Sequence, residues 1–170
     1  EAKNIYNKII KINPNIDVVQ NNLGIIYLKS KLQKKAQSCF LNAIKINSNY
    51  IDAYNNLAML NNEIGEYNKS ITYSKKVLEI EPNVVKALFN LAYSYGKIGD
   101  EKNEIDFYFK TLNCDPNHFK ACHNLALRYY ELGHTEKSLD FWKKANSINP
   151  DDANVGDMLA CVLLKHFHFE

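Results

Sequence analysis

A 34-residue spacing between prolines is the feature of this sequence that most constrains its fold. Pro82, Pro116 and Pro150 follow one another at this spacing, Pro14 lies on the same grid, and Ser48 takes the one grid position without proline. A four-residue phrase recurs on the same spacing, as NNLG at 21–24, NNLA at 55–58, FNLA at 89–92 and HNLA at 123–126. Self-similarity at such a period is typical of stacked repeats, in which each unit buries its apolar face against its neighbours.

Each period divides into two amphipathic helices. In the third period Leu91 and Tyr95 fall at helical spacing, and the pattern stops at Gly99, a residue suited to a left-handed helix end. The second helix of that period begins after Asp100 and ends before Pro116, because proline cannot continue a helix. The whole chain is predicted to be all-α, with helices over 1–12, 17–30, 33–47, 51–64, 67–80, 85–98, 101–113, 119–132, 135–148 and 153–166.

The repeated residues resemble the tetratricopeptide repeat, whose pattern over one period is W-x-x-L-G-x-x-Y, then A-x-x-x-F, then A and P. The first full period matches this pattern at Leu23, Gly24, Tyr27, Ala36, Phe40 and Ala43. The resemblance covers the whole chain. It implies a right-handed α-solenoid of about ten helices in antiparallel pairs, with the first helix of each pair on the concave side.

The resemblance also implies the frame of a single array over residues 1–170. Full repeats are expected at 17–50, 51–84, 85–118 and 119–152. Residues 1–16 have the pattern of the second half of a truncated repeat, and residues 153–170 have that of the first helix of another. Both end helices would expose an apolar stacking face. We therefore expect the chain to be part of a longer array, in which end-to-end self-association is possible.

Two residues depart from the repeat pattern. Asn61 replaces a tyrosine, and Glu104 replaces a small residue at a position where two helices should touch. We expect Glu104 to lie beside a loosened contact or to reach outward. Neither departure alters the assignment of the fold.

The charge balance argues against a general polyanion binder. Lys and Arg number 21 against 19 Asp and Glu, so the formal net charge is +2, whereas nucleic-acid binding usually shows a strong basic excess. The longest apolar run, from Met158 to Leu164, is far shorter than a membrane span. The four cysteines follow no disulfide framework. We therefore expect an intracellular protein, cytoplasmic or nuclear, that contacts neither nucleic acid nor membrane.

The sequence carries no recognisable catalytic motif. A phosphate loop, a G-x-S-x-G elbow and an H-E-x-x-H pair are all absent from it. The cluster of Cys114, His118, Cys122 and His123 matches known zinc spacings poorly, and it reads better as a buried thiol beside surface histidines. We predict no metal, no cofactor and no enzyme activity within this chain.

One asparagine precedes the leucine of each repeated phrase, where packing alone does not call for an amide. A side-chain amide offers both a donor and an acceptor, so a row of them could hold the backbone of an extended peptide. The predicted peptide-binding residues lie on the concave face of the first helices: Asn22, Asn55, Asn56, Lys86, Phe89, Asn90, Tyr93, Lys120, His123 and Asn124. The alternative is that each asparagine bonds a neighbouring helix. The expected function is a protein-interaction module with a protein or peptide partner.

Other functions of similar arrays remain as alternatives. The asparagine row resembles the substrate-binding arm of O-linked N-acetylglucosamine transferase, and a structural scaffold segment is the other candidate. A carboxylate clamp of the co-chaperone type is disfavoured, because Asn56 and Lys86 match it while Asn21, Ile25 and Asn90 do not. Pentatricopeptide-type RNA binding is disfavoured by the near-neutral charge.

Overall fold

The computed structural model describes residues 5–6, 8–9 and 12–167, and within them every regular element is a helix. These are α1 (Asp17–Lys29), α2 (Gln33–Ile46), α3 (Ile51–Glu63), α4 (Tyr67–Ile80), α5 (Val85–Lys97), α6 (Glu101–Cys114), α7 (Phe119–Glu131), α8 (Thr135–Ile148) and α9 (Ala153–Phe167). Residues 5, 6, 8, 9 and 12 are also helical, and the rest of the predicted helix over 1–12 lies outside the described residues. The all-α prediction is confirmed, with each end of α1–α9 within one residue of its expected place.

The chain divides into two compact units, and the boundary along the sequence falls within α6, between Glu104 and Ile105. In the first unit α1 packs against α2 and α3 against α4, while α2 also contacts α3 and α4 also contacts α5. The first helices of successive periods touch as well, α1 with α3 and α3 with α5. We call α1, α3, α5 and α7 the inner helices, since each is the first of its period.

The repeated Leu and small residue supply the core of the first unit. Leu57, Ala58, Leu91 and Ala92 are fully buried, and so is Phe40 on α2. Phe40 lies against Gly24, where an added Cβ would stand 2.5 Å from the aromatic ring. Gly24 therefore keeps its place in the pattern because the phenyl ring occupies the space of a side chain.

The second unit is built on the same positions. On α7, Leu125 and Ala126 are fully buried, and Trp142 and Ala145 of α8 are fully buried with them. Helix α8 packs against both α7 and α9, and Val155 of α9 is also buried. The core positions of the unit therefore follow the same repeat spacing as those of the first unit.

The loop after each inner helix reverses the chain through one residue with positive φ. Gly65, Gly99 and Gly133 have φ values of 81°, 81° and 76°. At Gly99, the next amide, that of Asp100, donates to the carbonyl of Tyr95 at 2.9 Å, which closes the helix end. Lys31 takes the same position after α1 with φ of 58°. The predicted left-handed helix end at Gly99 is confirmed.

The two departures from the pattern are both buried. Glu104 does not reach outward, since only 6% of its surface is exposed and its carboxyl group lies where a side chain on Gly96 would have to go. The missing side chain at Gly96 makes room for the large one at Glu104. Asn61 is fully buried, and its Nδ2 donates to the carbonyl of Leu57 at 2.7 Å.

Candidate functional site

The predicted peptide-binding residues lie on the inner helices and divide between the two units. The first unit holds Asn22 on α1, Asn55 and Asn56 on α3, and Lys86, Phe89, Asn90 and Tyr93 on α5. The second unit holds Lys120, His123 and Asn124 on α7. The four repeat asparagines are equivalent in sequence. Their side-chain amides nevertheless differ in the hydrogen bonds that they make.

The Asn56 amide bridges two inner helices. Its Nδ2 donates to Oδ1 of Asn21 at 2.8 Å, which joins α3 to α1. Asn21 is buried, and Asn56 is partly exposed. The Oδ1 of Asn56 accepts no hydrogen bond from the described residues. Asn56 therefore retains an acceptor that a ligand could use, while its donor is engaged.

Two of the asparagines are held by tyrosines of the preceding period. Nδ2 of Asn124 donates to the hydroxyl of Tyr108 at 2.6 Å, and Nδ2 of Asn22 contacts the hydroxyl of Tyr6 at 3.5 Å, the long limit of such a bond. In both pairs the tyrosine precedes the asparagine by 16 residues. These two amides therefore bond a neighbouring helix, as the alternative interpretation of the sequence expected.

Asn90 differs from the other three, because its side chain makes no hydrogen bond with the described residues. Its backbone carbonyl accepts a hydrogen bond from Oγ of Ser94 at 2.7 Å. The position that tyrosine takes in those two pairs is occupied here by Ser74, which is too short to replace a phenol, and its Oγ is buried without a described partner. Asn55, which corresponds to Asn21, also has a buried Oδ1 without a described partner. The Asn90 amide thus keeps both its donor and its acceptor available.

Apolar and aromatic groups accompany the Asn56 and Asn90 amides. Met59, three residues after Asn56, is 40% exposed, and Tyr93, three residues after Asn90, is partly exposed. Nζ of Lys97 lies 5.3 Å from the centroid of the Tyr93 ring, within the range of a cation–π contact. This surface therefore offers amide groups and apolar side chains side by side.

The two inner helices α3 and α5 carry opposite charges. Asp52 and Glu63 are the charged residues of α3, and Lys86 and Lys97 are those of α5. Asp52 and Lys86 are one repeat period apart, as are Glu63 and Lys97, so they occupy equivalent positions on the two helices. All four are exposed, and no ion pair joins any of them to another described residue.

Buried hydroxyl contacts fix α5 against its neighbours. Oγ of Ser94 lies 2.7 Å from Oδ1 of Asn62 on α3 and 2.9 Å from Oγ of Ser70 on α4. Ser94 and Ser70 are fully buried, and a hydroxyl left without any partner at such a place costs about 1–3 kcal/mol. The position of the Asn90 backbone relative to α3 is therefore well defined.

The other predicted residues differ in their exposure. Asn55 is only 6% exposed, and Phe89 is half-buried. His123 is half-buried with its ring edge-on to Trp142, at 5.0 Å between centroids and an interplanar angle of 87°. Lys120 is exposed on α7.

The histidines and cysteines of the second unit are arranged for packing and capping. Nδ1 of His118 accepts a hydrogen bond from the Ala121 amide at 3.2 Å, which caps α7. Burial raises the pKa of the Cys122 thiol, so the less nucleophilic protonated form is favoured. In the part of the chain that the structure describes, no three His, Cys, Asp or Glu residues converge as metal ligands. No helix of the described residues is long and apolar enough to cross a membrane.

The partners of the asparagines were not predicted from the sequence. The signal for Tyr108 and Tyr6 was present, as a tyrosine at one fixed position before the asparagine on the repeat grid. Asn21 lies directly before the repeat asparagine Asn22. It was not recognised from the sequence as the acceptor for the Asn56 amide.

Comparison with known proteins gives the family. Tetratricopeptide repeat models match residues 19–50, 39–72 and 119–152, together more than half of the chain. No curated protein matches the chain in sequence. Among solved structures, the chain is similar to MamA at a TM-score of 0.79, with 22% identity and 89% of each chain covered.

Two further structures share the fold. One is YrrB, at a TM-score of 0.74 and 21% identity, with 96% of this chain and 81% of that chain covered. The other is the APC/C hetero-tetramer Cut9–Hcn1, at a TM-score of 0.83 and 15% identity, with 93% of this chain but 32% of that chain covered. The predicted all-α repeat solenoid is confirmed, and the chain belongs to the tetratricopeptide repeat family.

Proposed function

We propose that this chain is a protein-interaction module that holds an extended segment of a partner protein across α3 and α5, with Asn90 at the centre of the contact. The observation that carries this proposal is the state of the Asn90 side chain. It has no described hydrogen-bond partner, whereas Asn22, Asn56 and Asn124 each have their amide donor engaged. The family supports the assignment, since tetratricopeptide repeats are in general non-catalytic interaction modules.

A peptide backbone is the natural ligand for such an amide. Nδ2 of Asn90 can donate to a peptide carbonyl while its Oδ1 accepts from a peptide N–H. The free Oδ1 of Asn56 can accept a further N–H on the neighbouring helix. Inner helices pack about 8–10 Å apart and an extended chain rises about 3.3 Å per residue, so the two contacts would fall about three residues apart.

The apolar groups beside the amides add to the binding. Each backbone hydrogen bond contributes about 0.5–1.5 kcal/mol net, too little for stable binding by one or two amides. Met59 and Tyr93 are exposed enough to bury an apolar side chain of the partner, at about 25 cal/mol per Å² of surface removed from water. Among proteins of the same fold, YrrB is described as having an unusual peptide-binding site.

Peptide binding by the 170-residue chain and by two single variants tests the proposal. A library of fluorescent unstructured peptides is titrated with the parent chain, with Asn90→Ala and with Asn124→Ala, and circular dichroism checks that helicity is equal. We expect Asn90→Ala to weaken the best peptides by about 3- to 10-fold, because it removes one or two hydrogen bonds.

Asn124→Ala is the matched control, because this repeat asparagine lies on α7, outside the proposed contact across α3 and α5, and its amide donor is engaged by Tyr108. We expect it to leave peptide affinity unchanged. Equal affinities for Asn90→Ala and the parent would place recognition on another surface. An absence of binding by every peptide would instead favour a structural scaffold segment.

A further inference from the structure

We propose that the partner segment carries a basic and an acidic side chain about three residues apart, the basic one over α3 and the acidic one over α5. This inference rests on the function proposed above and adds the chemical class of the partner. It follows from the opposite charges of the two inner helices that carry these amides, α3 with Asn56 and α5 with Asn90.

The charges are arranged so that they remain available to a partner. Asp52 and Glu63 on α3 and Lys86 and Lys97 on α5 are all exposed, and none has an ion-pair partner among the described residues. The acids and the lysines therefore do not neutralise one another by direct contact.

At both ends of the surface that α3 and α5 form, the acidic residue lies on α3 and the basic residue lies on α5. Asp52 and Lys86 lie four residues before Asn56 and Asn90, and Glu63 and Lys97 lie seven residues after them. A segment that crosses from α3 to α5 therefore passes from an acidic helix to a basic one, whichever end its side chains reach. An extended chain covers the distance in about three residues, which sets the spacing of the two complementary charges.

This polarity disfavours a purely acidic or purely basic ligand. A second carboxylate over α3 would face Asp52 and Glu63, and a second ammonium over α5 would face Lys86 and Lys97. Like charges brought together across an interface suppress the wrong partner, so specificity arises from repulsion as well as attraction. The same argument excludes a polyphosphate backbone as the preferred occupant.

The test uses four classes of fluorescent peptide on one uncharged extended scaffold, with charged residues at two positions three apart. The classes are Lys then Glu, Glu then Lys, two Glu and two Lys, each titrated with the 170-residue chain. We expect one of the mixed-charge orders to bind about two- to fivefold tighter than either like-charge class, since exposed ion pairs are individually weak. The difference should shrink at high salt, because exposed charges are screened.

A charge-exchanged protein identifies where the preference comes from. The variant Asp52→Lys/Glu63→Lys/Lys86→Glu/Lys97→Glu keeps the net charge and substitutes only exposed positions. We expect it to prefer the opposite order of Lys and Glu in the peptide. If it is less helical than the parent, the neutral variant Asp52→Asn/Glu63→Gln/Lys86→Gln/Lys97→Gln replaces it, and the preference among classes should then disappear.

The matched control exchanges an exposed ion pair on α4. Lys76 and Glu79 pair at 2.9 Å on this helix, and Lys76→Glu/Glu79→Lys should keep the order preference of the parent. Equal binding of all four peptide classes, or the same preferred order in the parent and the charge-exchanged protein, would overturn the charge inference and leave backbone binding in place. If no peptide of any class binds, both the inference and the proposed function are wrong.

Discussion

Asn124 donates a hydrogen bond from Nδ2 to the hydroxyl oxygen of Tyr108 at 2.6 Å, and this contact joins α7 to α6. The same relationship links Asn22 to Tyr6 over the same separation along the chain. Phe40 and Ser74 take the equivalent positions before Asn56 and Asn90, and neither provides a phenol. The identity of the residue 16 positions earlier therefore coincides with whether the next repeat asparagine is held by a phenol, while Asn56, which has no such phenol, donates to Asn21 instead.

The Tyr108–Asn124 contact predicts a measurable loss when the hydroxyl is removed. Tyr108→Phe should lower the free energy of unfolding by about 1 kcal/mol, the usual net contribution of one hydrogen bond. Urea denaturation of the parent and the variant gives this difference. In an Asn124→Ala background the same substitution should have a clearly smaller effect. Equal effects in the two backgrounds would mean that the contact adds no stability.

Gly24 and Gly156 should respond in opposite directions to alanine. A Cβ on Gly24 would stand 2.5 Å from the Phe40 ring, and we expect Gly24→Ala to destabilise the protein by about 1–3 kcal/mol through overpacking. A Cβ on Gly156 meets no atom within 4 Å, so Gly156→Ala should stabilise α9 by about 0.5–1 kcal/mol through helix propensity. Urea midpoints compare the two variants, and a stabilising Gly24→Ala would contradict the packing at Phe40.

The helices of this chain were predictable from sequence because their ends are marked on the repeat grid. Proline follows α4, α6 and α8, and glycine follows α3, α5 and α7. The states of Asn90 and Glu104 were not predictable in this way. Each depends on a residue of the preceding helix, Ser74 in one case and Gly96 in the other, and the repeat pattern alone does not relate the two positions. The face that carries the candidate site can be inferred from helical spacing, but which amide on it is engaged cannot.

Lys31 is expected to limit stability at the first loop. It has φ of 58°, in the left-handed region where an L-residue is disfavoured by about 1–2 kcal/mol, and glycine occupies the equivalent positions after α3, α5 and α7. Lys31→Gly should therefore raise the free energy of unfolding, by about 1 kcal/mol after the entropic cost of glycine in the unfolded chain is deducted. Gly65→Ala is the converse variant and should be destabilising. A neutral or destabilising Lys31→Gly would show that the lysine side chain compensates for the strain.

The cap of α7 makes stability depend on pH. Burial lowers the pKa of His118 below its ordinary value of 6.5, and only the neutral imidazole can accept the Ala121 N–H at Nδ1. Below pH 6.5 the unfolded chain therefore takes up this proton more readily than the folded chain. The contribution of His118 to the free energy of unfolding should accordingly fall as the pH drops below that value, and level off once the folded chain is protonated as well.

The variant His118→Asn isolates this effect. Asparagine is a favourable N-cap residue and does not titrate, so it keeps an acceptor for α7 and removes the pH dependence of the cap. Urea denaturation of both chains from pH 7.5 to pH 5 should show the variant gaining stability relative to the parent as the pH falls. The other histidines are common to both chains and cancel in this difference. A difference that stays constant over the whole range would show that the imidazole at position 118 is not held in its neutral form by the fold.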